Sequence, residues 1–355
     1  MSISPFPVAG AAGVRRTCLA SVLMLAVMLT MQGCYYVQAA RGQLDVLRHR
    51  QPIGDVIANP ATPPELAARL STLQSARQFA SDELLLPENG SYTTYADIGR
   101  DYVVWNVIAA PEFSLEPETW CYLIVGCVAY RGYFSEDKAV QFARSLRGKG
   151  YDTFVGGVAA YSTLGRFDDP ILNTMMRRDD VELVGLLFHE LAHQHLYIKD
   201  DTEFNESFAS AVEEIGLERW LSAREQSDAL RQWNARQAML QSMTSLVHRA
   251  RTDLEALYAS DLPAHEMRRE KSERLQVLSA EAAMLAESGA GPNWLQGELN
   301  NARLVSLGLY RGSVAAFMGV YDDCDEKLAC FYSAVEELAE LPAPQRATAL
   351  ARISR

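Results

Sequence analysis

Apolar and polar positions follow two different periods along this chain, and where the period changes the architecture changes. The stretch "PPELAARLSTLQSARQFASDEL" spaces its apolar residues helically after a proline pair, and residues 35 to 85 read as helical on that pattern. "SYTTYADIGRDYVVWNVIAA" and "TWCYLIVGCVAYRGYF" are instead dense in aromatic and β-branched residues, which predicts strands. "SEDKAVQFARSLRGKG" then reads as a helix opened by Ser135 and closed by Gly150, before "YDTFVGGVAAYSTLGRF" returns to strand character. The pair Gly156-Gly157 predicts a bulge or a close backbone approach.

Beyond this small mixed unit the helical period takes over. Asp179 followed by Glu182 resembles a capping box, and "VELVGLLFHELAHQHLYI" continues from it as one helix. A short polar connection, "KDDT", leads to a second helix starting near Glu203, "EFNESFASAVEEIGLERWL". Residues 226 to 259 and 264 to 287 predict an antiparallel helical hairpin about "SDLPAHE". Gly and Pro interrupt the pattern near residue 291, after which helices resume to the carboxyl end. The expected fold class is therefore α+β, predominantly helical, with a small β-sheet and a long helical hairpin.

The amino terminus is set apart. Arg15 and Arg16 precede the apolar run "CLASVLMLAVML", too short to cross a bilayer with ease, and the chain then reaches "TMQGC", ending at Cys34. This order resembles a bacterial lipoprotein signal, which implies lipid attachment at Cys34 and a membrane partner. Tyr35 in place of an aspartate then implies the outer membrane, with the protein facing the periplasm. The alternative is an uncleaved anchor, and either way the body lies outside the cytoplasm. An oxidising compartment favours disulfides for the remaining thiols, Cys121, Cys127, Cys324 and Cys330. Pairing within each local pair is the first choice among three possible connectivities. "DCDEKLAC" reads as a solvated, disulfide-closed loop.

About 320 residues remain after the signal, ample for a buried core. The net charge of −12, with basic residues scattered, argues against nucleic acid as a partner. Nothing in the sequence specifies a protein partner.

The candidate chemistry lies in "HELAHQH". His189 and His193 are four residues apart and share one helix face, so their imidazoles can hold one zinc ion while Glu190 serves as general base. His195 falls about 200° around the helix from His193 and is expected in a surface or second-layer role. A third ligand must come from Glu203, Glu206, Glu213 or Glu214. If the two helices form a tight antiparallel pair, Glu206 faces His193. Glu213 then lies roughly 4–5 Å below His189 along the axis, placed to accept the free N–H of that imidazole.

"HELAH" followed by "NESFA" is similar to the gluzincin metallopeptidases, and the resemblance also implies Glu206 as the third ligand. The order "AYRGYF", "VGGVAAYSTLGRFDDP", "HELAHQ" and "NESFA" resembles, more narrowly, a family of predicted bacterial aminopeptidases. That resemblance implies a zincin-like core, a peptide substrate and an exopeptidase activity. The strand Val155 to Phe167 is either a core strand or an edge strand that pairs with an extended peptide, in which case Tyr161 and Arg166 face the cleft. Tyr310 and Tyr161 are candidates for stabilising the oxyanion. The expected organisation is a signal (1–33), an amino-terminal helical segment (34–95), the catalytic core (96–225), the hairpin (226–290) and a carboxyl-terminal helical segment (291–355). The competing function is a non-catalytic metal-binding lipoprotein that engages a partner through its hairpin.

Replacing Cys34 by Ser is expected to abolish lipid attachment and leave the precursor in or on the inner membrane. An unchanged mature mass and membrane partition in that variant would refute the lipoprotein expectation.

Overall fold

The computed structural model describes residues 35–122, 125–287, 298–311 and 313–353, so Cys34 lies outside the described residues, as does the side chain of Tyr310. The chain divides into two compact units, one ending at Arg48 and the other beginning at His49. In the first unit residues 35–48 form helix α1.

The second unit opens with β1 (Arg50–Pro52), α2 (Ile53–Ala58) and α3 (Pro64–Asp82). Pro64 stands at the first turn of α3, where its fixed φ suits the helix and its missing N–H costs nothing. Leu70, Leu73, Ala76 and Ala80 bury one face of α3. β1 pairs antiparallel with β2 (Thr94–Ala96), and β2 pairs parallel with β8 (Ile171–Leu172). A second, antiparallel sheet has β3 (Val104–Pro111) in the middle, flanked by β6 (Arg131–Tyr133) and β7 (Tyr151–Val158). β4 (Trp120–Tyr122) and β5 (Gly126–Val128) form a hairpin closed by the Cys121–Cys127 disulfide.

Between β6 and β7 runs α4 (Glu136–Arg147), with acidic residues in its first turn and arginines in its last, as the helix dipole favours. The register of β3 with β7 is unbroken from Val104↔Val158 to Pro111↔Tyr151. Gly156-Gly157 therefore marks no bulge. A Cβ on Gly157 would lie 2.4 Å from the Tyr102 ring, so close approach is what requires glycine there.

The rest of the described chain is helical: α5 (Asp180–His195), α6 (Thr202–Ala223), α7 (Ser227–Tyr258), α8 (Ala264–Glu287), α9 (Asn301–Arg311), α10 (Val314–Asp323), α11 (Leu328–Glu340) and α12 (Ala343–Ile353). The protein is thus α+β and predominantly helical, as its periodicity predicts. α7 and α8 form the expected hairpin, zipped by Met243, Leu246, Leu254 and Leu257 against Met267 and Leu278. α9 lays Ala302 and Val305 on Ile108 and Ala110 of β3. The Cys324–Cys330 disulfide closes the turn between α10 and α11, so both local pairs are bonded as the first choice had it. No helix among the described residues is long and apolar enough to cross a membrane.

One buried side chain joins the hairpin, α9 and the sheet. Asn301 is fully buried, and its Nδ2 donates among the carbonyls of Pro111, Glu112 and Ser114, each 3.0 Å away. Its Oδ1 accepts from the Tyr258 hydroxyl at 2.7 Å, and its backbone N–H donates to Asp152 at 2.9 Å. Asp152 also binds Lys271 of α8 at 2.6 Å. Asn301→Ala strands several of these groups, each uncompensated buried group costing roughly 1–3 kcal/mol, and is expected to lower stability by about 2–4 kcal/mol. Urea denaturation checks this, and a change below about 0.5 kcal/mol would remove Asn301 from the role.

Candidate metal centre

α5 and α6 are each fixed at the amino-terminal end, and these two ends lie at opposite ends of the antiparallel pair. At the start of α5, Asp179 accepts from the Glu182 N–H at 2.8 Å and Glu182 accepts from the Asp179 N–H at 3.3 Å, a reciprocal capping box. Arg236 of α7 then binds both carboxylates, at 2.9 and 2.6 Å. At the start of α6, Asp201 accepts from the Phe204 N–H at 3.1 Å and is gripped by Arg346 of α12 at 2.6 Å. The asparagine of "NESFA" locks the connection between the helices. Asn205 accepts from the Ile198 N–H at 2.8 Å and donates to its carbonyl at 2.7 Å.

Small residues let the two helices approach. A Cβ on Gly185 would lie 2.7 Å from Leu217 and 3.0 Å from the Glu213 carboxylate. Gly185 stands one turn before His189, so its lack of a side chain is what admits Glu213 to that imidazole. Gly216 answers it from α6, where a Cβ would lie 2.7 Å from Phe188.

With the helices so placed, the Glu206 carboxylate comes between the two imidazoles. Its Oε2 is 3.3 Å from His189 Nε2 and 3.7 Å from His193 Nε2. One ligand atom from each of the three residues lies within 4.8 Å of the others. A tetrahedral ion bound at about 2.0–2.1 Å separates its ligand atoms by roughly 3.4 Å, so these residues fit a metal ion. Glu213 lies 3.3 Å from His189 Nδ1, the place of a carboxylate that orients a ligating imidazole. Glu203 instead accepts from Ser313 at 3.1 Å.

The electrostatics favour a cation at this point. Burial alone would lower the pKa of His189, but its bonds to Glu206 and Glu213 push it up to about 10. Burial alone would raise Glu206, but His193 and His189 hold it down at about 2. Glu190, 6 % exposed, is pushed above the usual carboxylate range by burial, against the pull of His189, His193 and Arg178. Behind it sit two further buried groups. Asp169 is raised to about 6 by burial, opposed by its bonds from Thr163. Tyr92, at φ 62 with its N–H on the Asp169 carbonyl, has its phenol pushed up by burial and by the charges of Glu190 and Asp169.

His189, Glu190, His193, Glu206 and Glu213 line a cleft of about 610 Å³. Its opposite wall is one face of the β3–β7 sheet, with Val104, Asn106 and Ile108 beside Phe154, Gly156 and Val158. Tyr161 lines the cleft, whereas Arg166 is exposed and does not. His195 points elsewhere, its ring 4.2 Å from that of Tyr332 of α11, a second-layer position. Two lining residues, Arg178 and Tyr197, carry no signal in the sequence. Tyr197 donates to the Val125 carbonyl at 3.3 Å, and burial followed by the charges of Glu206 and Asp200 raises its phenol to about 12.

A family model described as "Putative aminopeptidase" matches residues 34–350. No curated protein and no solved structure matches the chain.

Metal analysis is expected to find one divalent ion per chain, with occupancy lost in His189→Ala, His193→Ala and Glu206→Gln. Glu213→Gln is expected to weaken affinity by about 10–100-fold, the usual cost of removing an orienting partner. Loss of the ion in Glu213→Gln together with retention in Glu206→Gln would reverse the two assignments.

Proposed function

The chain belongs to the family described as "Putative aminopeptidase", and from that premise we propose that it is a zinc-dependent peptidase of the gluzincin type, anchored in the bacterial envelope through Cys34. The observation that carries the reading is the joining of a two-histidine, one-carboxylate ligand set to a buried acid, Glu190, within one cleft. A purely structural metal site has no use for that fourth group.

Zinc held by His189, His193 and Glu206 would polarise the scissile carbonyl and acidify a water. Glu190 takes the proton of that water and later passes it to the leaving amine. Burial suits it to the first step, because a carboxyl raised above its ordinary range accepts a proton more readily than an exposed one. Glu213 keeps His189 in the tautomer that presents Nε2 to the ion.

Substrate would lie along β7. That strand is the outer member of its sheet, with β3 on one side only, and residues Gly156 to Ser162 line the cleft. The Asn300 side chain caps the early part of the strand, donating to the Thr153 carbonyl at 3.2 Å. Among the described strands none pairs with the outer edge of the later part of β7, so an extended peptide would add there as a further strand, up to the Ala159 carbonyl that Thr174 takes. Tyr161, which lines the same cleft, would donate to the developing oxyanion. The two disulfides support an oxidising compartment, in keeping with export.

Glu190→Gln keeps size and ligands, so zinc is expected to remain while turnover of a peptide library falls by roughly 10²–10⁴. Full activity in this variant would end the metallopeptidase reading. Absence of any cleavage by the zinc-loaded wild type would favour a non-catalytic partner-binding role.

A further inference from the structure

The cleft contains a cation that no described residue engages through a side-chain hydrogen bond or ion pair; the charge it acts on is that of Glu190 in the same cleft. Arg178 is the single Lys or Arg among the described residues that line it. Its backbone is fixed: its N–H donates to the Met175 carbonyl at 3.2 Å and its carbonyl accepts from Arg69. Arg69 also bonds the Met176 carbonyl at 2.6 Å and Asp180 at 2.8 Å, holding the whole turn into α5. The acids beside Arg178 are claimed by other cations. Arg236 takes Asp179 and Glu182, Arg69 takes Asp180, and the neighbouring Arg177 reaches away to Asp101 at 3.2 Å. Arg178 itself has no hydrogen bond or ion pair from its side chain to any described residue, and it is exposed.

Its place along the cleft follows from one bond. Thr174, in the 3-10 turn that leads into Arg178, donates to the Ala159 carbonyl at 2.5 Å. This ties Arg178 to the later end of the strand-like wall, Ala159 to Ser162. An extended peptide advances about 3.3 Å per residue, so a group at Arg178 belongs to a residue only a few positions from the bond under attack. The other charged groups of the cleft, Glu190, Glu206 and Glu213, repel an anion unless the metal masks them. A guanidinium fork matches a carboxylate in shape as well as charge.

We propose that Arg178 selects peptides bearing a carboxylate at its end of the cleft, supplied by an acidic side chain or by a free carboxyl terminus. This deepens the peptidase reading and rests on it for the placement of the substrate. The test uses four peptides of one neutral core: free acid, amide, amide with a glutamate walked along the core, and amide with a lysine so walked. Cleavage is measured with the zinc-loaded protein, and affinity with its zinc-loaded Glu190→Gln variant. A preference of about tenfold for a carboxylate over the plain amide is expected at low salt, shrinking as salt screens it. Preference for the free acid assigns the carboxyl terminus, and preference for a glutamate peptide assigns the side chain. Arg178→Ala is expected to bring the ratio near one, and Arg178→Glu to turn it toward the lysine peptide. A wild-type ratio near one, or a preference that survives in both Arg178 variants, overturns the proposal. If no peptide is cleaved, the peptidase reading fails by itself, and the affinity ratio still decides the role of Arg178.

Discussion

The site depends on how closely α5 and α6 can approach. A carboxylate side chain has a short reach, so Glu206 can meet two imidazoles on the neighbouring helix only if the backbones are drawn together. Gly185 and Gly216 remove the side chains that would hold them apart, and Asn205 sets the length of the turn that joins them. Everything else around the helix pair maintains that separation. Arg236 fastens one end of α5 to the hairpin, and Arg346 fastens the start of α6 to the last helix. The aromatic cluster of Phe204, Phe208, Phe317 and Phe331 fills the space behind α6.

The sheet has the complementary task of providing a wall at a set distance from the helices. Its β3–β7 pair turns Phe154, Gly156 and Val158 toward the cleft, and α9 packs on that same face beside the cleft, tied to the sheet by the Asn301 network. The hairpin, which could be taken for an appendage, is tied into that brace through Tyr258 and Lys271. Its long helices therefore stiffen the cleft wall even though neither contributes a residue to the cleft lining.

Much of this was legible in the sequence because it is local. Helix periodicity, the Asp179 cap, the four-residue spacing of His189 and His193, and the seven-residue spacing of Glu206 and Glu213 all act within one or two helices. What escaped depends on encounters between distant segments. Arg178 reads as one of several arginines in "MMRRDD", and only the pairing of Asp179, Glu182 and Asp180 with other arginines leaves it facing the cleft. Arg166 reads as a cleft residue if Val155 to Phe167 is an edge strand throughout, but the strand ends at Val158 and the chain turns outward after Leu164, carrying Arg166 to the surface. Gly156-Gly157 was ambiguous until the unbroken register and the Tyr102 ring separated close approach from a bulge.

The three residues that could hold a metal, the buried Glu190 and the Glu213 carboxylate all fall between His189 and Glu213, on one helical hairpin, while the opposite wall arrives from residues far earlier in the chain. Contacts short in sequence form early and survive partial opening, whereas long-range contacts close late and are lost first. The ligand geometry and cleft integrity are thus separable: a chain with its sheet loosened keeps the hairpin on which a metal could be held. Amide exchange that stays slow across α5 and α6 while it quickens along β3 and β7 is the signature of that intermediate order, and in such a state metal content says little about whether a cleft exists.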